Sequence, residues 1–65
     1  MDALRIARQS AGLTQEAVAE MLDTDQATIS RYERGLHTPK ISRLKVLARI
    51  YGRTIGQLLA LEPLQ

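Results

Sequence analysis

With 65 residues the chain has room for one small core, at a size where roughly 60% of the unfolded surface becomes buried on folding. It contains no cysteine, so neither disulfides nor thiolate metal sites can supplement that core, and packing with or without self-association must hold it. The first ten residues lack the apolar centre of a secretory signal, the apolar runs fall far short of the ~18 residues that span a bilayer, and a net charge of +2 names no partner by itself.

The first predicted helix runs from Asp2 to Ala11, with Leu4, Ala7 and Ala11 at helical spacing, and stops at Gly12, which can take the left-handed conformation that closes a helix. Thr14 is the N-cap of the second, which carries Val18, Ala19 and Leu22 inward and ends at Asp23. Asp25 caps the third. That helix buries Ile29 and Tyr32, turns Gln26, Ala27, Ser30 and Arg31 outward, and ends at Gly35. After the loop 36–39 a fourth helix carries Ile41, Leu44, Leu47, Ala48 and Tyr51 at spacings of three and four and closes at Gly52, with Lys40 a poor N-cap in front of it. Thr54 and Gln57 form a T-x-x-Q capping box that opens a short fifth helix with Ile55, Leu58 and Leu59. No segment alternates with period 2 between turn signals, so nothing reads as strand. The expected fold is all-α, five short helices in a compact cluster, with residues 1–65 forming a single domain.

Charge is distributed unevenly along this framework. Residues 1–30 carry Arg5 and Arg8 against Asp2, Glu16, Glu20, Asp23 and Asp25. Residues 31–53 carry seven basic side chains (Arg31, Arg34, Lys40, Arg43, Lys45, Arg49 and Arg53) against Glu33 alone, a local balance of +6. Such asymmetry suggests an anionic partner on one side of the molecule. No paired-carboxylate cleft, no Cys–His or Ser–His–Asp arrangement and no glycine-rich phosphate loop is present, so an enzyme is not expected. Nor is a cofactor or metal: His37 stands alone in a polar loop with no second ligand spaced to join it.

From Gln15 to Arg34 the pattern describes two helices crossing around a tight turn, with the small Ala19 where the second passes over the first. This is how a helix-turn-helix reads in sequence: one helix braces and the next presents its outer face to a major groove. Four motifs occur in order: L-T-Q-E-x-V-A at the start of the second helix, T-I-S-R-x-E-R-G across the third, a proline before the fourth, and L-x-x-L-A-x-x-x-G closing it. Over residues 13–59 the chain resembles the phage repressor and Cro family of helix-turn-helix regulators, also called the Xre type, whose fold is lambda-repressor-like.

That resemblance implies roles for matching positions. Gln26, Ala27, Ser30 and Arg31 would meet base edges: Gln26 an adenine, Arg31 a guanine, the Ala27 methyl a thymine methyl. Gln15, Thr28, Arg34, Thr38, Lys40 and Arg43 would contact phosphates, positioning the protein without specifying sequence. Arg8 and Glu33 match a pair that the family uses as a structural ion bridge between the first and third helices. The implied function is a double-stranded DNA-binding transcriptional regulator, a repressor, reading an inverted-repeat operator. The other reading open to the same fold is an antitoxin or adaptor whose main partner is a protein.

Two features depart from the pattern. Asp23 stands where the family most often has glycine in the turn, with Thr24 in place of an apolar residue beside it, and aspartate tolerates the left-handed region better than most residues. The other is the end at Gln65, together with the leucines that precede it. A core this small has little room for Leu58, Leu59, Leu61 and Leu64 together, so a homodimer through these residues is expected ahead of the rival reading, a tail folded over its own core. With Gln65 as the last residue no small-molecule effector domain is expected, and the setting implied is cytoplasmic, nucleoid-associated, bacterial or phage-encoded.

Overall fold

The computed structural model describes residues 2–64 and contains five helices: α1 Asp2–Ser10, α2 Gln15–Met21, α3 Gln26–Glu33, α4 Ile41–Tyr51 and α5 Ile55–Leu58. Among the described residues there is no strand, and no helix is long and apolar enough to cross a membrane. Its radius of gyration is 10.3 Å, against about 10.7 Å for a typical globular chain of this length.

Helix starts follow from side chains that accept the first unpaired amides. Thr14 accepts from the amide of Ala17, Asp25 from that of Thr28, and Thr54 from that of Gln57, whose own side chain accepts from the Thr54 amide to complete the capping box. Lys40 makes no such bond, and α4 starts without a side-chain cap. Helix ends share one device. Each helix is followed by a residue with positive φ: Gly12 at 74°, Asp23 at 55°, Gly35 at 75°, Gly52 at 67° and Ala60 at 61°. In each case the amide of the next residue returns to a carbonyl five positions earlier: Leu13 to Arg8, Thr24 to Ala19, Leu36 to Arg31, Arg53 to Ala48 and Leu61 to Gly56. These closures satisfy carbonyls that would otherwise be orphaned and let each chain reversal occupy few residues.

Every helix contributes to one core: Leu4 and Ala7 from α1, Val18 and Ala19 from α2, Ile29 and Tyr32 from α3, Leu44, Leu47 and Tyr51 from α4, and Leu58 from α5. Helix α3 packs chiefly on α2 and also on α1, while α5 lies across α4 and α1. Ala7 at 0% and Ala19 at 4% exposure are the small residues that bring backbones together at these crossings.

Three sequence expectations need correction. Helix α1 ends at Ser10, and Ala11 is exposed in the turn that follows. Ile41, placed on the inward stripe of α4, is 59% exposed because it opens the helix before the helix axis reaches the core. Leu58, expected at a dimer interface, is 0% exposed inside the protomer's own core and has no surface to offer a second copy.

The two non-glycine residues in the left-handed region carry backbone cost, about 1–2 kcal/mol for an ordinary L-residue. Replacing Asp23 by glycine relieves that cost while adding freedom to the unfolded chain, which returns roughly 0.4–1 kcal/mol. Asp23→Gly should therefore stabilise by up to about 1 kcal/mol, read as a higher urea midpoint at unchanged m-value.

Candidate nucleic-acid interface

Because α3 buries Ile29, Tyr32 and Glu33, helical geometry turns Gln26, Ala27 and Arg31 to solvent, where all three are exposed; Ser30, on the flank, is half-buried. The outward face therefore carries an amide, a methyl, a hydroxyl and a guanidinium, a set able to read base edges. Arg34 is exposed at the C-cap of α3, and Thr38 and Lys40 are exposed in the following loop. Arg43, half-buried on α4, donates to the hydroxyl of Tyr32 at 3.0 Å and so anchors its guanidinium next to α3. Tyr32, His37, Thr38, Lys40, Ser42 and Arg43 line a hollow at this edge, polar and cationic in character.

Thr28 sits differently from the sequence expectation. Its hydroxyl donates to Asp25 Oδ1 at 2.7 Å while its amide donates to the same oxygen at 2.8 Å. A hydroxyl has one hydrogen to give, so Thr28 in this arrangement has no donor for a phosphate and serves the helix cap. The same two bonds hold the Asp25 carboxyl below the usual carboxylate range, the hydroxyl first and the amide second, with Arg31 adding a smaller favourable field. A depressed folded-state pKa means that the cap's contribution to stability is complete above the ordinary carboxylate range and fades as pH falls through the lowered value.

The ion pair joins α1 to the end of α3. Arg8 Nε donates to Glu33 Oε2 at 2.6 Å and Nη2 to Oε1 at 3.2 Å, while Nη1 donates to the carbonyl of Leu13 at 2.8 Å. Both side chains are largely enclosed, at 12% and 5% exposure. The bond to Glu33 raises the Arg8 pKa, so the guanidinium stays charged. Burial pushes the hydroxyl of Tyr51 up to about 12, with the negative charge of Glu33 adding and Arg8 opposing, so this tyrosine stays protonated at physiological pH.

Sequence reasoning placed Gln15 on a phosphate and treated Gln26 alone. The structure brings them together: Gln15 Nε2 donates to Glu33 Oε1 at 3.0 Å, and Gln26 Nε2 donates to Gln15 Oε1 at 3.2 Å. The signal available was positional, since both glutamines open their helices directly after a cap residue. The contacts of Arg8 with Leu13 and of Arg43 with Tyr32 had no such signal, because they depend on how the helices cross.

Removing one member of an enclosed pair leaves the other charge without compensation. Arg8→Ala should cost about 3–5 kcal/mol in chemical denaturation, whereas the double change Arg8→Met with Glu33→Leu should recover most of that loss.

Comparison with known proteins places these features in a family. A helix-turn-helix family model matches residues 4–58. The chain is also similar to HTH-type transcriptional activator BcrR of Enterococcus faecalis, with 37% identity over 57 residues, covering 88% of this chain and 28% of that protein. It thus spans little more than a quarter of that relative's length. No solved structure matches it. The chain, with its five helices and the α2–turn–α3 unit inside the matched region, belongs to the Xre-type helix-turn-helix family.

Proposed function

We propose that residues 1–65 form one sequence-specific double-stranded DNA-binding unit of a transcriptional regulator, with α3 lying in the major groove. The observation that carries this reading is the division of α3. Its inner face is locked by Ile29, Tyr32 and the Arg8–Glu33 pair, and its outer face offers Gln26, Ala27 and Arg31 to solvent. Family membership supports it. In this reading Arg31 takes a guanine through two parallel hydrogen bonds and Gln26 an adenine, while the Ala27 methyl meets a thymine methyl and Ser30 acts through water. Arg34, Thr38, Lys40 and Arg43 meet the flanking phosphates together with Gln15, and each neutralised phosphate steepens the dependence of log affinity on log salt by ~0.9.

Repression is the regulatory consequence we favour, since a helix seated in the major groove occupies DNA that another factor needs. The name of the Enterococcus faecalis relative keeps activation as the alternative that operator position decides. The test of DNA reading uses two single variants. Arg31→Ala should lose about 1–3 kcal/mol of discrimination at one base pair, and Gln26→Ala a similar amount at another, with both variants folded. If neither affinity nor sequence preference changes in either, α3 does not read DNA and a protein-binding role of the antitoxin or adaptor kind takes its place.

We further propose a homodimer that sets two copies of α3 roughly 34 Å apart on successive major grooves, matching an inverted repeat. Its surface is the apolar end of the molecule. Leu61 is 77% exposed and Ile6 42% exposed, and both line a groove with Ala3, Ala60 and Leu64. Leu59 and Leu64 are half-buried. Sedimentation should show mass rising with concentration up to tens of micromolar and falling back to the monomer in Leu61→Asp; a wild-type mass fixed at the monomer value would overturn the dimer.

A further inference from the structure

Three side chains with separate roles in the proposed DNA interface form one hydrogen-bonded line from the interior to the surface. Glu33, 7% exposed, accepts from Arg8 with both oxygens, Oε2 from Nε at 2.6 Å and Oε1 from Nη2 at 3.2 Å. Both oxygens are therefore acceptors and neither can donate. Gln15 meets Oε1 at 3.0 Å and has to offer its amide nitrogen. Its carbonyl oxygen, the other arm of the same amide, is then the atom that faces Gln26, and the Gln26 nitrogen donates to it at 3.2 Å. An amide has two unlike ends, so an acceptor at the start of the line dictates the polarity of each amide after it. Glu33, Gln15 and Ser30 also line a common groove, where the line comes to the surface beside α3.

The polarity matters at the outer end. With one N–H of Gln26 committed to Gln15, the pair left for a ligand is one N–H and one carbonyl oxygen. In the major groove adenine presents an acceptor, N7, and a donor on N6, whereas guanine presents two acceptors, N7 and O6. A Gln26 held in this way makes two bonds to adenine and one to guanine. A Gln26 released from Gln15 can turn its amide and offer both hydrogens.

We propose that Glu33 is a positioning residue for base selection: acting through Gln15, it orients the Gln26 amide so that the recognition helix prefers adenine to guanine at one base pair. This rests on the reading of α3 as a DNA-reading helix. Placing an amide at position 33 reverses the line. To keep its oxygen on Arg8 Nε, the new side chain must turn its nitrogen toward Gln15, which then presents its own oxygen inward and its nitrogen toward Gln26.

The experiment first selects the bound site of the wild-type chain from a random duplex library, then identifies the base pair read by Gln26 as the one whose preference Gln26→Ala abolishes. At that pair the wild type should favour adenine over guanine by about 10-fold or more. Glu33→Gln, checked for fold by circular dichroism, should bring the ratio to near parity or invert it, while the preference lost in Arg31→Ala stays intact. In a Gln26→Ala background Glu33→Gln should not change the ratio further. A purely structural role for Glu33 predicts weaker binding to every duplex with the adenine ratio retained, and that result would overturn the proposal. Should Glu33→Gln fail to fold, Gln15→Met decides. It leaves the Arg8–Glu33 pair in place and should lose the ratio in the same way, and a retained ratio there would equally overturn the proposal. Failure of α3 to read DNA at all is a different outcome, visible in the wild type as a library that yields no selected site.

Discussion

The Arg8–Glu33 pair is the contact on which the rest of the structure depends. It is the polar junction between α1 and α3, and the same guanidinium also ties down the Leu13 carbonyl, in the turn that leads into α2. Three helices therefore converge on one charged group. Net stabilisation from an enclosed ion pair is small, because desolvation offsets most of the attraction. What the pair supplies is definition. Apolar contacts such as Ala7, Val18 and Ile29 tolerate small rotations of α3 about its axis, whereas a 2.6 Å bond at its last turn does not. A helix proposed to set its outer face against base edges needs that restriction more than it needs further stability.

The second constraint is economy of turns. Five helices of four to eleven residues are too short to be stable alone, and each has to be returned to the core within a few residues. The repeated left-handed closure does this by ending each helix with its carbonyls paired. Glycine makes it inexpensive at three of the five ends, and the remaining two use Asp23 and Ala60. Asp23 occupies the turn between α2 and α3, so the strained position and α3 are adjacent. Thr24, whose amide returns to the Ala19 carbonyl at 2.9 Å, is what fixes the exit of the turn toward the Asp25 cap.

Most of this fold was legible in the sequence because its signals are local. Cap residues, the closing glycines and the three-four spacing of Leu44, Leu47 and Tyr51 depend on neighbours within one or two turns, and they place the five helices to within a residue or so. Periodicity cannot say which end of an apolar stripe lies under a neighbouring helix, which is why Ile41 reads as buried and is not. Among the leucines after Gln57, Leu58 was misplaced for a related reason. A short leucine-rich end reads as a dimer surface before it reads as core, and only the placement of α5 across α1 and α4 shows that Leu58 completes the core while Leu61 remains outside. At the site, the outward residues of α3 could be named from the helical repeat alone. The link from Glu33 through Gln15 to Gln26 could not, because it depends on two helix starts lying side by side, which is a property of the crossing.

The two aspartates at the entrance to α3 fit the same division between local and long-range demands. A carboxylate near a polyanion is unfavourable, yet α3 starts with Asp25, whose carboxyl accepts both the amide and the hydroxyl of Thr28. The cap satisfies an amide that has no partner within the helix and sets its negative charge at the positive end of the helix dipole, two local gains that do not depend on DNA. Its charge is not removed, since the bonds from Thr28 favour the ionised form. Asp25 therefore repels any phosphate brought close to it, irrespective of sequence, and the basic groups that offset this repulsion lie further along the chain, at Arg34, Lys40 and Arg43. In the proposed complex, non-specific attraction would be concentrated at the far end of α3 and weakened at its start, where Gln26 lies. Under that proposal, sequence preference at that end would depend on hydrogen-bond geometry and owe little to charge.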